Sequence, residues 1–512
     1  MEVSRSKRTI QNMIFGFLYH ILTIVLSFVS RTIFIHTLGT EYLGLNSIFT
    51  DVLKMLSMAD LGFALAMSYS FYEPLAKQDY KKIQSLVAFF KKIYNFIALV
   101  VTILGLACTP FLKYIVNTEQ EIPNLEIYYF FGLADVVISY LFVYKTTLLT
   151  ADQREYMISR LRTVFSLLGT LLKIAVLIVW HNYILYLAVN VSISFLTNLY
   201  ASKMAIKEYP VIEELNNAEP LDKKSKDEIV ATLKAVVLYK VSMLLYNYTD
   251  NILISMLIGT AMVGIFSNYW MLSIKLILIE QIVFASMTAS VGNLIVKESE
   301  EKRLEVFEAM QSVSDIFCGI ITCMFGILAN DMIYVWLGKE FQLPLIAVFA
   351  IALNTYFTCI LQPMAIFREA TGLYNKIKYV MLIGSLLNIV LSVILGVTMG
   401  LSGIIFASVI SRVATYAWYE PKIMYRDYFG TSSKSYMLDL FKNFALVLII
   451  LMGLIFVSSR FVPQDWGQMF IKAGIVGLFC TITFIGIYIR TPGAKRILNK
   501  MRCFVNIKRE KK

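Results

Sequence analysis

Leu38-Gly-Thr-Glu-Tyr-Leu-Gly-Leu45 and Ile258-Gly-Thr-Ala-Met-Val-Gly-Ile265 are two copies of one motif, set 220 positions apart. Gly39 answers to Gly259, Thr40 to Thr260, Gly44 to Gly264 and Ser47 to Ser267. The same offset carries Asp60 onto Glu280, both inside long apolar runs. A weaker echo pairs Leu168-Gly-Thr-Leu-Leu-Lys-Ile174 with Ile383-Gly-Ser-Leu-Leu-Asn-Ile389. Each main copy lies between two apolar stretches, so Gly39, Gly44, Gly259 and Gly264 read as residues of a tight turn joining two helices.

Hydrophobic residues make up 58% of the chain and charged residues 16%. A soluble protein of 512 residues needs polar outer faces on its helices, and here there are too few charges to supply them. The apolar runs are about twenty residues long, enough to cross a hydrocarbon core of ~30 Å. Hydropathy divides them into about fourteen membrane spans: 11–38, 43–73, 84–109, 125–149, 161–180, 183–203, 227–258, 261–295, 305–329, 343–367, 379–399, 402–421, 437–459 and 468–489. Only the polar pair His181-Asn182 separates the fifth from the sixth.

Basic residues set the orientation. Lys7, Arg8, Lys77, Lys81, Lys82, Arg154, Arg160, Arg162, Lys207, Lys297, Lys302, Lys376 and Arg426 fall on one side, against Lys113, Lys339 and Arg460 on the other. By the positive-inside rule both termini are cytoplasmic in a multi-pass membrane protein. The net charge of +12 belongs to these loops and the basic tail rather than to a nucleic-acid surface. Six spans per half bring both halves into the bilayer in the same direction, a parallel repeat. The fold class is therefore all-α integral membrane. Residues 1–203 form one six-helix lobe, 204–226 a cytoplasmic linker and 227–422 a second lobe, with an extra helix pair over 423–490 and a tail over 491–512. Twin helical lobes with polar groups at membrane depth point to movement of a solute across the bilayer. No CxxC or histidine spacing suggests a metal, no cofactor is implied, and the six cysteines read as packed thiols.

The hairpin Leu38–Leu45, Ala59-Asp-Leu-Gly-Phe63, Tyr72-Glu-Pro-Leu-Ala-Lys77 and Phe90-Lys-Lys-Ile-Tyr94 resemble the polysaccharide repeat-unit flippases of the Wzx type. Those belong to the multidrug/oligosaccharidyl-lipid/polysaccharide exporter superfamily. The resemblance extends over the whole chain in helix number and order. It implies two lobes around a cavity that opens alternately to each side. The implied cargo is an undecaprenyl-diphosphate-linked oligosaccharide for capsule, O-antigen or exopolysaccharide synthesis, with a polymerase and glycosyltransferases as partners in the pathway. The sequence departs from strict internal symmetry where Lys173 faces Asn388 and where Ala261-Met262 replaces Glu41-Tyr42.

Charged side chains at membrane depth cost several kcal/mol and so face cavities or partners. Most candidates are basic, which suits a diphosphate head group: Arg31, Lys54, Lys240, Lys275 and Arg412 are expected to line a cationic cavity. The competing expectation is internal ion pairing with Asp60, Asp250 or Glu280. Asp60 and Glu280 are expected to act as a gate or in ion coupling, or to sit hydrated at headgroup level. Rival functions are a lipid II flippase, a cation-coupled drug exporter, and, in another class, a membrane polymerase or glycosyltransferase. An enzyme of that last kind needs acid/base or metal-binding carboxylates. The short loops opposite the basic side supply none, so a non-enzyme is expected.

Overall fold

The computed structural model describes residues 5–57, 63–119 and 121–496. Asp60, Cys503 and most of the tail lie outside them. The described residues are predominantly helical, with no strand among them. In order, the helices are α1 (Arg5–Leu56), α2 (Phe63–Lys77), α3 (Tyr80–Cys108), α4 (Leu112–Ile115), α5 (Leu125–Ala151), α6 (Glu155–Trp180), α7 (Tyr183–Glu208), α8 (Lys223–Tyr248), α9 (Asp250–Leu257), α10 (Thr260–Lys297), α11 (Glu300–Leu337), α12 (Leu345–Ile360), α13 (Gln362–Thr371), α14 (Tyr374–Met399), α15 (Leu401–Ala414), α16 (Tyr416–Tyr428), α17 (Lys434–Ser458) and α18 (Trp466–Tyr488).

Every expected span coincides with a helix or a broken pair of helices. By length and composition, 11 described helices are able to cross a membrane, or up to 12 if the bent pair α12–α13 counts as one span. The lower figure arises in part because Leu22–Leu56, which takes in parts of the first two expected spans, counts once, and because α12 and α13 are bent apart. The α12–α13 bend of 40° comes at Leu361, just before Gln362-Pro363, where the proline lacks an N–H and its ring crowds the preceding turn. α15 gives way to α16 at Thr415, whose Oγ1 donates to the Ser411 carbonyl at 2.6 Å. His181 ends α6 in the left-handed region at φ 50°, and the Asn182 side chain accepts from Leu185 N to open α7.

Packing divides the chain into two compact units. Unit one comprises Met1–Lys240 and the short piece Gly259–Gly264, and unit two comprises Val241–Ile258 and Ile265–Lys512. Within unit one, α3 packs on α5, α5 on α7, α7 on α6, and α6 on α1. Within unit two, α11 packs on α12, α12 on α15, α15 on α14, and α14 on α9. The same neighbour order therefore recurs in both units, as a duplicated six-helix plan requires.

Both motif copies interrupt their helices at the first glycine, with φ 88° at Gly39 and φ 141° at Gly259, a conformation open to a residue without Cβ. The second glycines do different work from the turn role expected of them. Gly44 and Gly264 are helical, and a Cβ on Gly44 would strike the Thr260 carbonyl oxygen. A Cβ on Gly264 would strike the Thr40 carbonyl oxygen. Inside unit one the two hairpins thus meet reciprocally, and Thr260 N adds a hydrogen bond to the Asn117 carbonyl at 2.7 Å.

The segment after α7 is a strap rather than a loose linker. Its own Tyr209, Ile212, Leu215 and Leu221 are buried. Gln84 Nε2 donates to the Glu214 carbonyl at 2.7 Å, and Lys82 pairs with Asp222 and with Ser225 Oγ. The Lys82 ammonium and the Ser225 donors hold the Asp222 carboxyl well below the usual carboxylate range. Arg154 bridges Asp152 and Glu208 beside it.

In unit two the extra pair α17–α18 is docked on α11. Gly319 and Gly326 leave room on α11 for the Phe484 ring and for Leu451. Tyr356 donates to Asn443 Oδ1 at 2.8 Å, and Asn443 Nδ2 donates to the Tyr488 hydroxyl at 2.6 Å. The opposite faces of both helices are apolar and exposed, as lipid contact demands: Ile449, Phe456, Phe470 and Ile475 are examples.

Candidate functional site

In unit one, ionisable groups of α1, α5, α6 and α7 meet near the end of α6 and the start of α7. Arg31 is partly buried on α1, within electrostatic reach of the Tyr186 hydroxyl on α7. The Tyr186 ring stacks on Tyr183 and meets the edge of Phe34 at 5.2 Å between centroids. Lys173 Nζ stands 5.4 Å from the same ring, an attractive placement for a cation. Lys173 also donates to Asn190 Oδ1 at 3.1 Å, and Asn190 Nδ2 donates to Asp135 Oδ2 at 3.4 Å. Arg31 and Lys173 therefore flank one tyrosine, and a carboxylate lies one amide away.

In unit two the corresponding helix pair uses a neutral bridge. Asn388 on α14 donates to Ser408 Oγ on α15 at 2.9 Å, and Ser408 donates to Asp250 Oδ2 at 3.0 Å. Lys173 and Asn388, which face each other in the sequence echo, thus both join the fifth helix of a unit to the sixth. Tyr246 completes the group by donating to the Ser408 carbonyl. The Arg412 guanidinium lies 5.4 Å from the Tyr246 ring and donates to Thr358 Oγ1 at 3.1 Å. Arg412 is only 7% exposed, so its charge is compensated by ring, hydroxyl and the nearby Asp250.

The remaining expected residues are placed as follows. Lys54 is exposed near the end of α1; Lys240 on α8 and Lys275 on α10 are partly buried. Glu280 is completely buried on α10 and accepts from Ser314 Oγ at 2.8 Å, while Ser314 also contacts the Cys359 carbonyl. Asp60 falls outside the described residues. The structure brings Arg412 together with Asp250, and Arg31 together with Lys173.

Several charged groups escaped the sequence reading. Asp135, Asp315, Asp331 and Lys472 each interrupt an apolar run, and that interruption was the available signal. Lys472 Nζ pairs with Asp331 Oδ2 at 2.6 Å, and Arg368 grips both oxygens of Glu420 at 3.0 and 2.8 Å. Among the described residues no cluster of three or more His, Cys, Asp and Glu is arranged to hold a metal ion. The five described cysteines are free thiols.

No protein-family model and no curated protein sequence matches the chain. Solved structures do. The lipid II flippase MurJ in an inward closed conformation superposes with a TM-score of 0.66 at 14% identity, over 93% of this chain and 99% of its own. An inward-facing multidrug resistance MATE transporter of the MOP superfamily gives 0.57 at 12% identity, over 77% and 93%. A MOP-superfamily transporter from Pyrococcus furiosus, described as having a binding pocket of reversed polarity, gives 0.56 at 13%, over 80% and 93%. The fold is that of the MOP-superfamily transporters. The small part of this chain outside the MurJ superposition is shorter than α17–α18, so that likeness reaches into the extra helix pair.

Proposed function

We propose that this chain turns an undecaprenyl-diphosphate-linked oligosaccharide from the cytoplasmic to the outer leaflet of a bacterial inner membrane, by alternating access, in surface polysaccharide synthesis. Both termini are then cytoplasmic, and the polymerase and glycosyltransferases of the pathway are its functional partners. The observation that carries the reading is Arg31 with Lys173 around Tyr186. Arg31 and Lys173 both act on Tyr186, and the Asp135 carboxylate reaches Lys173 through the Asn190 amide. Such a site suits an anionic head group and repels the cationic compounds a drug exporter handles. Lys54, Lys240 and Lys275 add exposed or partly exposed positive charge along helices. The reach of the MurJ likeness into α17–α18 favours a lipid-linked cargo, and makes lipid II the second reading.

The test is reconstitution in vesicles carrying a fluorescent undecaprenyl-diphosphate oligosaccharide, read by its accessibility to an outer-leaflet quencher. Arg31→Ala is expected to abolish turnover while insertion and gel-filtration behaviour stay normal. Full activity of that variant refutes the role of Arg31, and preferential turnover of the lipid II pentapeptide form transfers the assignment to the second reading.

A further inference from the structure

A furrow in unit one lies between α6 and α7, with Asp135 of α5 in its lining, and encloses about 450 Å3. That is within the range of roughly 300–1,000 Å3 typical of small-molecule sites. Along α6 it extends from Arg162 to Lys173, about 16 Å at ~1.5 Å per residue. Its polar groups are turned in a consistent sense. Thr170 Oγ1 donates its proton to the Ser166 carbonyl at 2.8 Å, and Thr197 Oγ1 donates to the Ile193 carbonyl at 2.6 Å. Asn198 Nδ2 donates to the Ser194 carbonyl at 2.9 Å. With their hydroxyl protons spent on their own helices, Thr170 and Thr197 offer the furrow oxygen lone pairs, and the Asn198 amide adds an acceptor oxygen beside its second N–H. Asp135 Oδ1 is buried without a well-formed hydrogen bond among the described residues, the Ser194 hydroxyl lying alongside. The wall therefore accepts hydrogen bonds, while Arg162 and Lys173 outnumber Asp135 in charge.

This combination discriminates among ligands. An organic cation meets a net positive site. A phosphate dianion pairs with Lys173 or Arg162 but has one proton to give the Thr170, Thr197 and Asp135 oxygens. A sugar ring carries an O–H at nearly every carbon, so it donates to the wall and accepts from Lys173 and Arg162 together. We propose that this furrow is a carbohydrate subsite, taking a neutral sugar ring or, at the Arg162 end, an acidic one. The proposal rests on the flippase reading above, since it houses the glycan part of that cargo, with Lys173 at one end shared with the head-group site.

Saturation-transfer NMR on the full chain in nanodiscs tests it, with glucose, galactose, N-acetylglucosamine and glucuronate as probes. Inorganic phosphate and tetraphenylphosphonium serve as comparisons. At least one sugar is expected to bind. Thr170→Val and Thr197→Val keep side-chain shape and each weakens it about fivefold, the equivalent of one hydrogen bond. Arg162 is exposed, so Arg162→Gln leaves folding intact and lowers the preference for glucuronate over glucose severalfold. Absence of sugar binding, binding indifferent to all three substitutions, or displacement of sugar by tetraphenylphosphonium overturns the proposal. Undecaprenyl diphosphate titrated into the same nanodiscs separates the two claims. Lipid binding without sugar binding defeats the furrow alone, and sugar binding without lipid binding defeats the flippase reading alone.

Discussion

Lys472 supplies the sharpest test of how the extra helix pair is held. Its side chain is 7% exposed and that of its Asp331 partner 13%. Its contacts are complete: Asp331 Oδ2 at 2.6 Å, the Phe461 carbonyl at 2.6 Å and the Ser458 carbonyl at 3.1 Å. Lys472→Met leaves a buried carboxylate without its counter-charge, which costs about 3–5 kcal/mol. Asp331→Leu strands the ammonium on two carbonyls and costs a similar amount. The double variant removes both charges and inserts apolar volume, so the ion-pair argument predicts near neutrality, offset only by the two released carbonyls. The coupling energy between the sites then exceeds about 2 kcal/mol. Unfolding by titration with SDS, followed through Trp466 at the start of α18 and Trp336 near the end of α11, measures all four corners of the cycle. A double variant as unstable as the sum of the single ones refutes the reasoning: the two residues then contribute through packing or through the carbonyls, and not as a charge pair.

Other outcomes follow from the same geometry. Gly44→Val or Gly264→Val overpacks the reciprocal hairpin contact and costs about 1–3 kcal/mol, whereas Gly453→Ala, where nothing lies within 4 Å, stabilises α17 by up to about 1 kcal/mol; equal effects at the two places refute the contact. Glu280→Gln retains the Ser314 hydrogen bond through its amide oxygen and changes stability by less than about 1 kcal/mol, so a large loss in the same SDS titration shows that a charge is required there. Asp222 has its folded pKa below the unfolded value, so its contribution is present above about pH 4 and fades as pH falls below that. Pepsin cleavage within 209–222 is expected to rise over that acid window, and Asp222→Asn to remove the dependence; an unchanged pH profile in the variant counts against the Lys82 pairing.

The span pattern was legible because burying a charge in hydrocarbon is costly, and so apolar runs mark the bilayer directly. The repeat was legible because Gly39 and Gly259 answer a backbone demand that few other residues meet. Pro363 is the local signal of the α12–α13 bend, which the undivided span 343–367 did not register. The break at Thr415 had no such signature, since its geometry depends on Gly384 giving the Thr415 hydroxyl room to approach α14. The charged residues were half legible. Arg31, Arg412 and Glu280 stood out in apolar runs, but their partners did not: Asp331 and Lys472 are 141 positions apart, and nothing local selects one for the other. Hydropathy likewise gave no hint that Ile212 and Leu221 would pin the strap, because four apolar residues scattered among charges read as solvated loop.

The crossed approach of Gly44 to the Thr260 carbonyl and Gly264 to the Thr40 carbonyl has the form of an isologous interface, in which one patch meets a copy of itself. In an arrangement of this form, a side chain added at the second glycine of both copies is felt twice over. Joining both copies in one polypeptide frees the flanking positions to differ. Tyr42 has entered an aromatic cluster with Tyr128 and Tyr183, at 6.0 and 5.2 Å between ring centroids, while its counterpart is Met262. Asymmetry of this sort lets one end of a gene specialise without its duplicate having to follow.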